Sequence, residues 1–351
     1  MTQDLHQLQV AAGATFEEIG QATVPVSFGN DPVALEAAQT GVALCDRSHW
    51  GRIQISDADR QNFLHNQSTN DIKRLQPGQG CDTVFVTSTA RTLDLASVYV
   101  TEETILLLVS PQRCQSLLDF LDRYIFFADR VKLTNLTTAT ATFSVLGPQS
   151  DALLDKLGAG ELIGQPYGNH ALLSLGDSEV RVAVGSGLAT PGYTLFVAAE
   201  AAAGFWQQLV SLGAVPLGDR VWEQLRIQQG RPVPDHELTE DYNPLEAGLW
   251  PTISFNKGCY IGQETIARLD TYKGVKQKLW GLRLSEPVAA GSIITLGDDK
   301  VGVLTSSTTI AQAAVGLGYI RTKAGGAGLQ VQVGTAQGEV VPVPFLTHER
   351  Q

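Results

Sequence analysis

The chain has 351 residues, 43% of them hydrophobic and 17% charged, a composition ordinary for a folded protein and a length that calls for two or three domains. Its 25 basic and 36 acidic residues give a net charge of −11, which argues against a broad electrostatic grip on nucleic acid or on an anionic membrane. The longest apolar runs, such as ILLLV at 105–109, are far too short to span a bilayer.

The opening MTQDLHQLQV has an acid where a signal peptide has a basic flank, so the expected location is the cytoplasm, or an organelle matrix. Cysteines stand at 45, 81, 114 and 259, none in C-x-x-C spacing, and six histidines accompany them. This pattern suggests no structural zinc site, no cysteine-ligated cluster and no disulfide framework, and the expectation is no metal ligands.

In chain order, DPVALEAAQTG (31–41) reads as a helix, with Asp at its start, Pro in its first turn and Gly as its stop. GRIQIS (51–56) alternates like a half-buried strand, and DADRQNFLHNQ (57–67) reads as a helix. LDLASVYV (93–100) and TILLLVS (104–110) read as an antiparallel hairpin, followed by an amphipathic helix in PQRCQSLLDFLDRY (111–124). From 139 to 217 the order becomes strand, helix, two strands, a further strand YTLFVA and the helix AEAAAGFWQQLVSLG, close to the split ferredoxin-like arrangement. DRVWEQLRIQQG (219–230) is a capped helix, and the Pro- and acid-rich RPVPDHELTEDYNPLEAGL (231–249) is a long loop. TISF (252–255) reads as a strand. RLDTYKGVKQK (268–278) is the most basic stretch, read as a solvated linker in preference to an anion-binding surface. After 276 come only short strands and glycine turns, KLWGLRL, SIITLG, VGVLTSS, AVGLGYI, LQVQVG and VVPVPF, which imply a small barrel or sandwich.

FNKGCYIGQE (255–264) carries the chemistry. It lies between an expected strand end and a helix start. If the backbone is extended there, Lys257 and Cys259 point to the same side. The helix beginning near Gly262 aims free N–H groups back toward Cys259. A nearby ammonium and a helix N-terminus each favour thiolate over thiol. The alternative is a well-made turn with a packed cysteine, in which Glu264 and Arg268 pair along the exposed face.

KGCYIGQE resembles the signature of the YgfZ family of folate-binding proteins, relatives of the T-protein (aminomethyltransferase) of the glycine cleavage system. LRIQQGRPVPDHELTEDYNPLEAGLW, which leads into it, is similar in both families, and ALCDRSHWGRIQISDADRQNFLHNQSTNDIKRLQPGQG resembles their shared N-terminal pattern. The resemblance implies an α+β fold with three domains in a cloverleaf around a central opening. These would be a discontinuous folate-binding domain (1–138 plus 219–275), an inserted split ferredoxin-like domain (139–218) and a C-terminal small β-barrel (276–351). It implies a tetrahydrofolate-binding accessory protein that supports maturation or repair of iron–sulfur enzymes. Lys257 and Cys259 would be its functional residues, folate its ligand, and iron–sulfur enzymes or their assembly factors its partners, with no nucleic acid and no membrane.

Among the residues expected near the ligand, Asp94, Tyr193, Tyr260 and Gln263 would contact folate, with Tyr260 able to stack on a ring. Arg226 and Arg268 are candidates for the glutamyl tail. Structural readings stand beside these: Arg226 as an i,i+3 partner of Glu223, Arg268 as a partner of Glu264, and Tyr260 as core. T-proteins carry a Gly-Gly-x-x-Asp-Asp run where this chain has ARTLDLASV, so Leu95 replaces the second acid. They also follow Gly-Tyr-Thr with Gly-Glu, where this chain has Leu195-Phe196. A leucine cannot assist proton transfer, which counts against aminomethyl transfer by the T-protein route. That activity and a non-catalytic scaffold that inherits the fold are the alternatives.

Overall fold

In a computed structural model, which describes residues 4–350, the chain forms two compact units. The first takes in residues up to 63, then 72–82 and 96–223; the second takes in 64–71, 83–95 and the residues from 224 onward.

In the first unit a six-stranded sheet runs in the order His170–Leu175, Ser178–Val184, Gly192–Ala198, Thr140–Leu146, Ala43–Asp46, Val215–Leu217. The ferredoxin-like rhythm expected from 139 onward is present, with helices Ser150–Leu157 and Ala202–Ser211. Phe143, Val145 and Leu195 from the strands pack with Leu153, Leu154, Phe205, Trp206 and Leu209 from the helices. One strand of this sheet lies outside that rhythm. Ala43–Asp46 inserts into this sheet, antiparallel to Thr140–Leu146 and parallel to Val215–Leu217. All four of its residues are buried, so it shows no alternation to betray it.

A five-stranded sheet runs in the order Gln79–Val86, Thr92–Val100, Thr104–Val109, Gly51–Ser56, Lys132–Asn135. The expected hairpin is there, with Val98 opposite Leu107. The ends of its first two strands, 83–86 and 92–95, belong to the second unit.

The second unit contains a closed six-stranded barrel in the order Gln277–Leu284, Ala313–Arg321, Asp299–Ile310, Ile293–Leu296, Gln330–Val333, Ala336–Val341. Leu282, Ile294, Leu304, Ile320, Val333 and Val340 fill it. Its last strand stops at Val341 rather than running to Phe345, because Pro342 and Pro344 have no N–H to donate to a ladder. The expected strand TISF is likewise absent. Trp250–Thr252 forms a single 3₁₀ turn with Pro251 in it. The polar groups that follow bond to a loop instead: Ser254 N donates to Thr69 O at 3.0 Å, and Thr69 Oγ1 donates to Thr252 O at 2.8 Å.

Candidate functional site

Residues 254–262 lie against residues 64–71 of the same unit, the last turn of the helix Arg60–Gln67 and the loop after it, tied to them by the two bonds just described and by Ile261 N donating to Asn66 O at 3.2 Å. Lys257 sits at a bend between these anchors, only 8% exposed. Its Nζ donates to His65 O at 2.5 Å, Ser68 O at 2.6 Å and Asn70 O at 2.7 Å. An ammonium has three protons, and three carbonyl oxygens converge on this one. The ring of Tyr260 lies 4.8 Å below the same nitrogen, a cation–π contact. His65 Nδ1 is 3.2 Å from Asp71 Oδ1, which closes the loop on itself.

The turn ends at Gly262, whose φ of +80° lies in the left-handed region. A Cβ there would come within 2.9 Å of Thr87 O and of a Val86 methyl, so glycine is required twice over. The helix Gln263–Thr271 follows, close to the expected start. The extended Lys257–Cys259 segment is not formed. The lysine turns inward to the carbonyl cage, while Cys259 is exposed. Of the other free cysteines Cys45 is buried, and Cys81 and Cys114 are half-buried. Burial pushes the Cys45 thiol well above its usual range. The arrangement therefore offers one solvent-facing sulfur on a turn whose backbone is fixed by a buried cation.

The remaining expected contacts disperse. Arg226 is 1% exposed, and its Nη1 donates to Glu237 Oε2 at 2.9 Å and its Nη2 to Ser306 Oγ at 2.9 Å. Glu237 is thus a carboxylate partner of Arg226 that sequence spacing did not announce. Thr305 and Ser306 hydroxyls donate to the other carboxylate oxygen at 2.7 and 2.6 Å, so this is a buried, hydrogen-bonded ion pair. Tyr193, in the first unit, donates its hydroxyl to Asp151 Oδ1 at 2.7 Å, and burial raises its pKa. Tyr260 packs in a cluster with Ala90, Leu245, Trp250, Ile253 and Ile266, the core alternative, and burial raises its pKa as well. Asp94 is fully buried on its strand, with Oδ1 accepting from Leu95 N at 2.9 Å. Leu95, at the position of the T-protein acid, packs with Val84, Val86, Leu238, Ala247 and Leu249. Tyr193, Arg226 and Tyr260 thus each make contacts within the protein through their polar ends or rings. Gln263 is half-buried at the helix start, and Arg268 is exposed.

Arg268 has company that sequence reasoning missed. It lines a depression of ≈ 420 Å³ with Arg91, Lys276, Glu246, Asn243 and Tyr272. Arg91 and Asn243 lie in turns far apart in the chain, and no spacing rule links them to the helix. Among the described residues no group of three or more His, Cys, Asp or Glu is placed to hold a metal ion, and no helix is long and apolar enough to cross a membrane.

Comparison with known proteins gives a consistent setting. The GCVT N-terminal domain family matches residues 5–257. A chloroplastic "putative transferase" of Arabidopsis thaliana is 47% identical over 98% of this chain and 80% of its own length. An aminomethyltransferase of Rubrobacter xylanophilus is 27% identical over 99% of this chain and 94% of its own. The solved glycine cleavage system aminomethyltransferase T from Bartonella henselae matches all of this chain and 99% of its own at a TM-score of 0.86, with 19% identity, which establishes a shared fold.

Proposed function

The chain belongs to the GCVT family, and from that premise we propose that it is a tetrahydrofolate-binding relative of the aminomethyltransferases that supports iron–sulfur enzymes through Cys259. The observation that carries this reading is the exposure of that one sulfur on a turn locked by Lys257. A fixed, solvent-facing thiol is suited to meeting a partner protein or a reactive group brought by one. A single cysteine cannot hold a stable cluster alone, so any cluster it touches is shared with the partner or with small thiols. Lys257 acts in this reading by holding the turn.

Leu95 supports the accessory role over glycine cleavage. Hydrocarbon packs around Leu95, where the resemblance puts the T-protein acid, and a leucine can neither orient a folate nitrogen nor move a proton. Tetrahydrofolate enters through family membership, and of the expected contacts Arg268 is exposed and Gln263 half-buried. The setting is the cytoplasm or, as the name of the plant relative suggests, an organelle matrix.

The test is complementation. In cells lacking the gene, the activity of an iron–sulfur enzyme, such as a radical-SAM tRNA-modifying enzyme, is measured with wild type, Cys259→Ser and Cys45→Ser. Loss confined to Cys259→Ser is expected, and full rescue by that variant overturns the role of the thiol. Titration of purified protein with tetrahydrofolate tests the ligand separately. Turnover of an aminomethylated lipoyl carrier would establish the glycine cleavage reading in its place.

A further inference from the structure

We propose that the depression beside the C-terminal half of the helix Gln263–Thr271 binds a small, multiply charged oxyanion through Arg91, Arg268 and Lys276. The three cations line one cavity of ≈ 420 Å³ in a protein whose net charge is −11. A concentration of positive charge on an acidic surface is costly through self-repulsion unless something anionic meets it. The carboxylate lining the same cavity is Glu246, which is 6% exposed. Asp270, on the same helix, is drawn to Lys273 at 3.7 Å and Arg350 at 3.4 Å, and Glu264 lies one turn before Arg268 on the exposed surface. One buried acid against three cations leaves the cavity positive.

The groups stand on fixed backbone. Arg91 closes a tight turn, with Thr87 N donating to Arg91 O at 2.9 Å and Arg91 N donating to Thr87 Oγ1 at 3.1 Å. Its Nη1 donates to Asp241 O at 2.8 Å, which orients the guanidinium and leaves its other N–H groups as donors. Lys276 is held through its carbonyl, which accepts from Thr322 N at 2.9 Å, and Leu279 N donates to Glu246 O at 2.9 Å. Asn243 Oδ1 is taken by Leu245 N and Glu246 N, both at 3.0 Å, so what this side chain adds to the cavity is its NH₂. The Thr89 and Thr265 hydroxyls complete a lining rich in donors.

That chemistry selects the ligand class. Two planar guanidinium forks and one ammonium match two or three carboxylate or phosphate groups. The volume suits a small molecule. The hydrocarbon of the lining comes from Leu269, the ring of Tyr272, itself 78% exposed, and the stems of the charged side chains, so the three cations are what sets the ligand's charge. A polyphosphate and a γ-linked chain of glutamates share this oxyanion chemistry, and the experiment separates them.

Calorimetric titration of the full chain with tripolyphosphate in one arm and with tri-γ-glutamate in the other, at 0.15 M salt, tests the site. The site shares Arg268 with the folate reading, but neither probe contains a pterin, so failure here and failure of tetrahydrofolate to bind are told apart. Saturable binding of at least one probe is expected. Arg268→Gln and Lys276→Gln, both at exposed positions where substitutions leave folding largely untouched, should each weaken it about tenfold, the scale of one charge-assisted bond, while the exposed barrel residue change Lys300→Gln leaves it unaltered. The tighter probe identifies the source, and equal binding assigns a general oxyanion site. Failure of both probes to saturate, or equal weakening by Lys300→Gln, overturns the proposal.

Discussion

Replacing Lys257 with Met tests whether this residue is a structural pin. Methionine keeps the length and the apolar stem of the side chain and removes only the ammonium. Three carbonyl oxygens, of His65, Ser68 and Asn70, then lose their donor at a site where Lys257 is 8% exposed. An unsatisfied buried acceptor costs about 1–3 kcal/mol, which would sum to as much as about 9 kcal/mol for three. Two effects offset this. The variant no longer has to desolvate a charge, and carbonyls near a surface loop recruit water. A net loss of about 3–4 kcal/mol is the balance, in line with breaking other buried charge contacts. Lys257→Arg keeps the charge, but a planar fork cannot meet three converging oxygens, so a loss of about 1–2 kcal/mol is expected. Urea unfolding gives the magnitude and hydrogen exchange its place: amides of 65–70 and 254–261 should lose protection before the barrel does. A Lys257→Met protein with unfolding free energy within about 0.5 kcal/mol of wild type and unchanged exchange would refute the pin, and would return the amine to a chemical role beside Cys259.

Three further outcomes follow from the same geometry. Leu95→Asp, which restores the acid of the T-protein pattern, places a carboxylate among five buried apolar side chains next to the fully buried Asp94; it should cost about 3–5 kcal/mol in urea unfolding and confer no aminomethyl transfer, and a variant as stable as wild type would mean that this position opens to solvent or ligand. Arg226→Met should cost about 3–5 kcal/mol by leaving Glu237, which is fully buried, without its cation, and the double change with Glu237→Leu should recover much of the loss; no recovery would show that the Ser306 and Thr305 bonds dominate. His170 is held neutral, its pKa pushed down to about 4 by burial and by Arg181, whose Nη1 lies 2.9 Å from His170 Nδ1. Backbone bonds at Gln79 and Val100 and the charge of Glu102 oppose that shift without overcoming it. The unfolded state takes up a proton near pH 6.5 and the folded state only near 4, so stability should fall with pH across that window; His170→Gln should flatten the slope, and an unchanged slope would refute the assignment.

Much of the fold was legible because local rules and tertiary structure agree. Asp31 and Pro32 at the first turn announced Asp31–Thr40, and Gly230 announced the end of Asp219–Gln229. Alternation announced Gly51–Ser56, and glycine turns announced the barrel. Some elements went unread, the strand Gln79–Val86 and the hairpin of Thr15–Ile19 with Ala22–Ser27 among them, and two failures have a plain local cause. Ala43–Asp46 has four buried residues and no polar face, and TISF alternates over only four residues, too few to outweigh Pro251 and the pull of Thr69.

The site was legible in its motif and not in its wiring, for a physical reason. Lys257 and Cys259 are two residues apart, so pairing them is the natural inference from sequence. The oxygens that hold Lys257 belong to backbone 187–192 residues earlier, and a backbone carbonyl leaves no mark in a sequence. Arg226 shows the same limit: its buried ion pair is with Glu237, 11 residues on in an acid-rich loop, and no helix-spacing rule announces that partner. A cation withdrawn from water needs converging oxygens wherever the fold can supply them, so the buried cations of this chain became struts. Those left at the surface, Arg268 and Lys276 above all, have no such demand on them and remain available to a ligand. In this protein, exposure separates the chemically free residue from the structural one more sharply than residue type or motif, which is why Cys259 and the Arg268 depression, and not the charged residues of the core, are where chemistry should be sought.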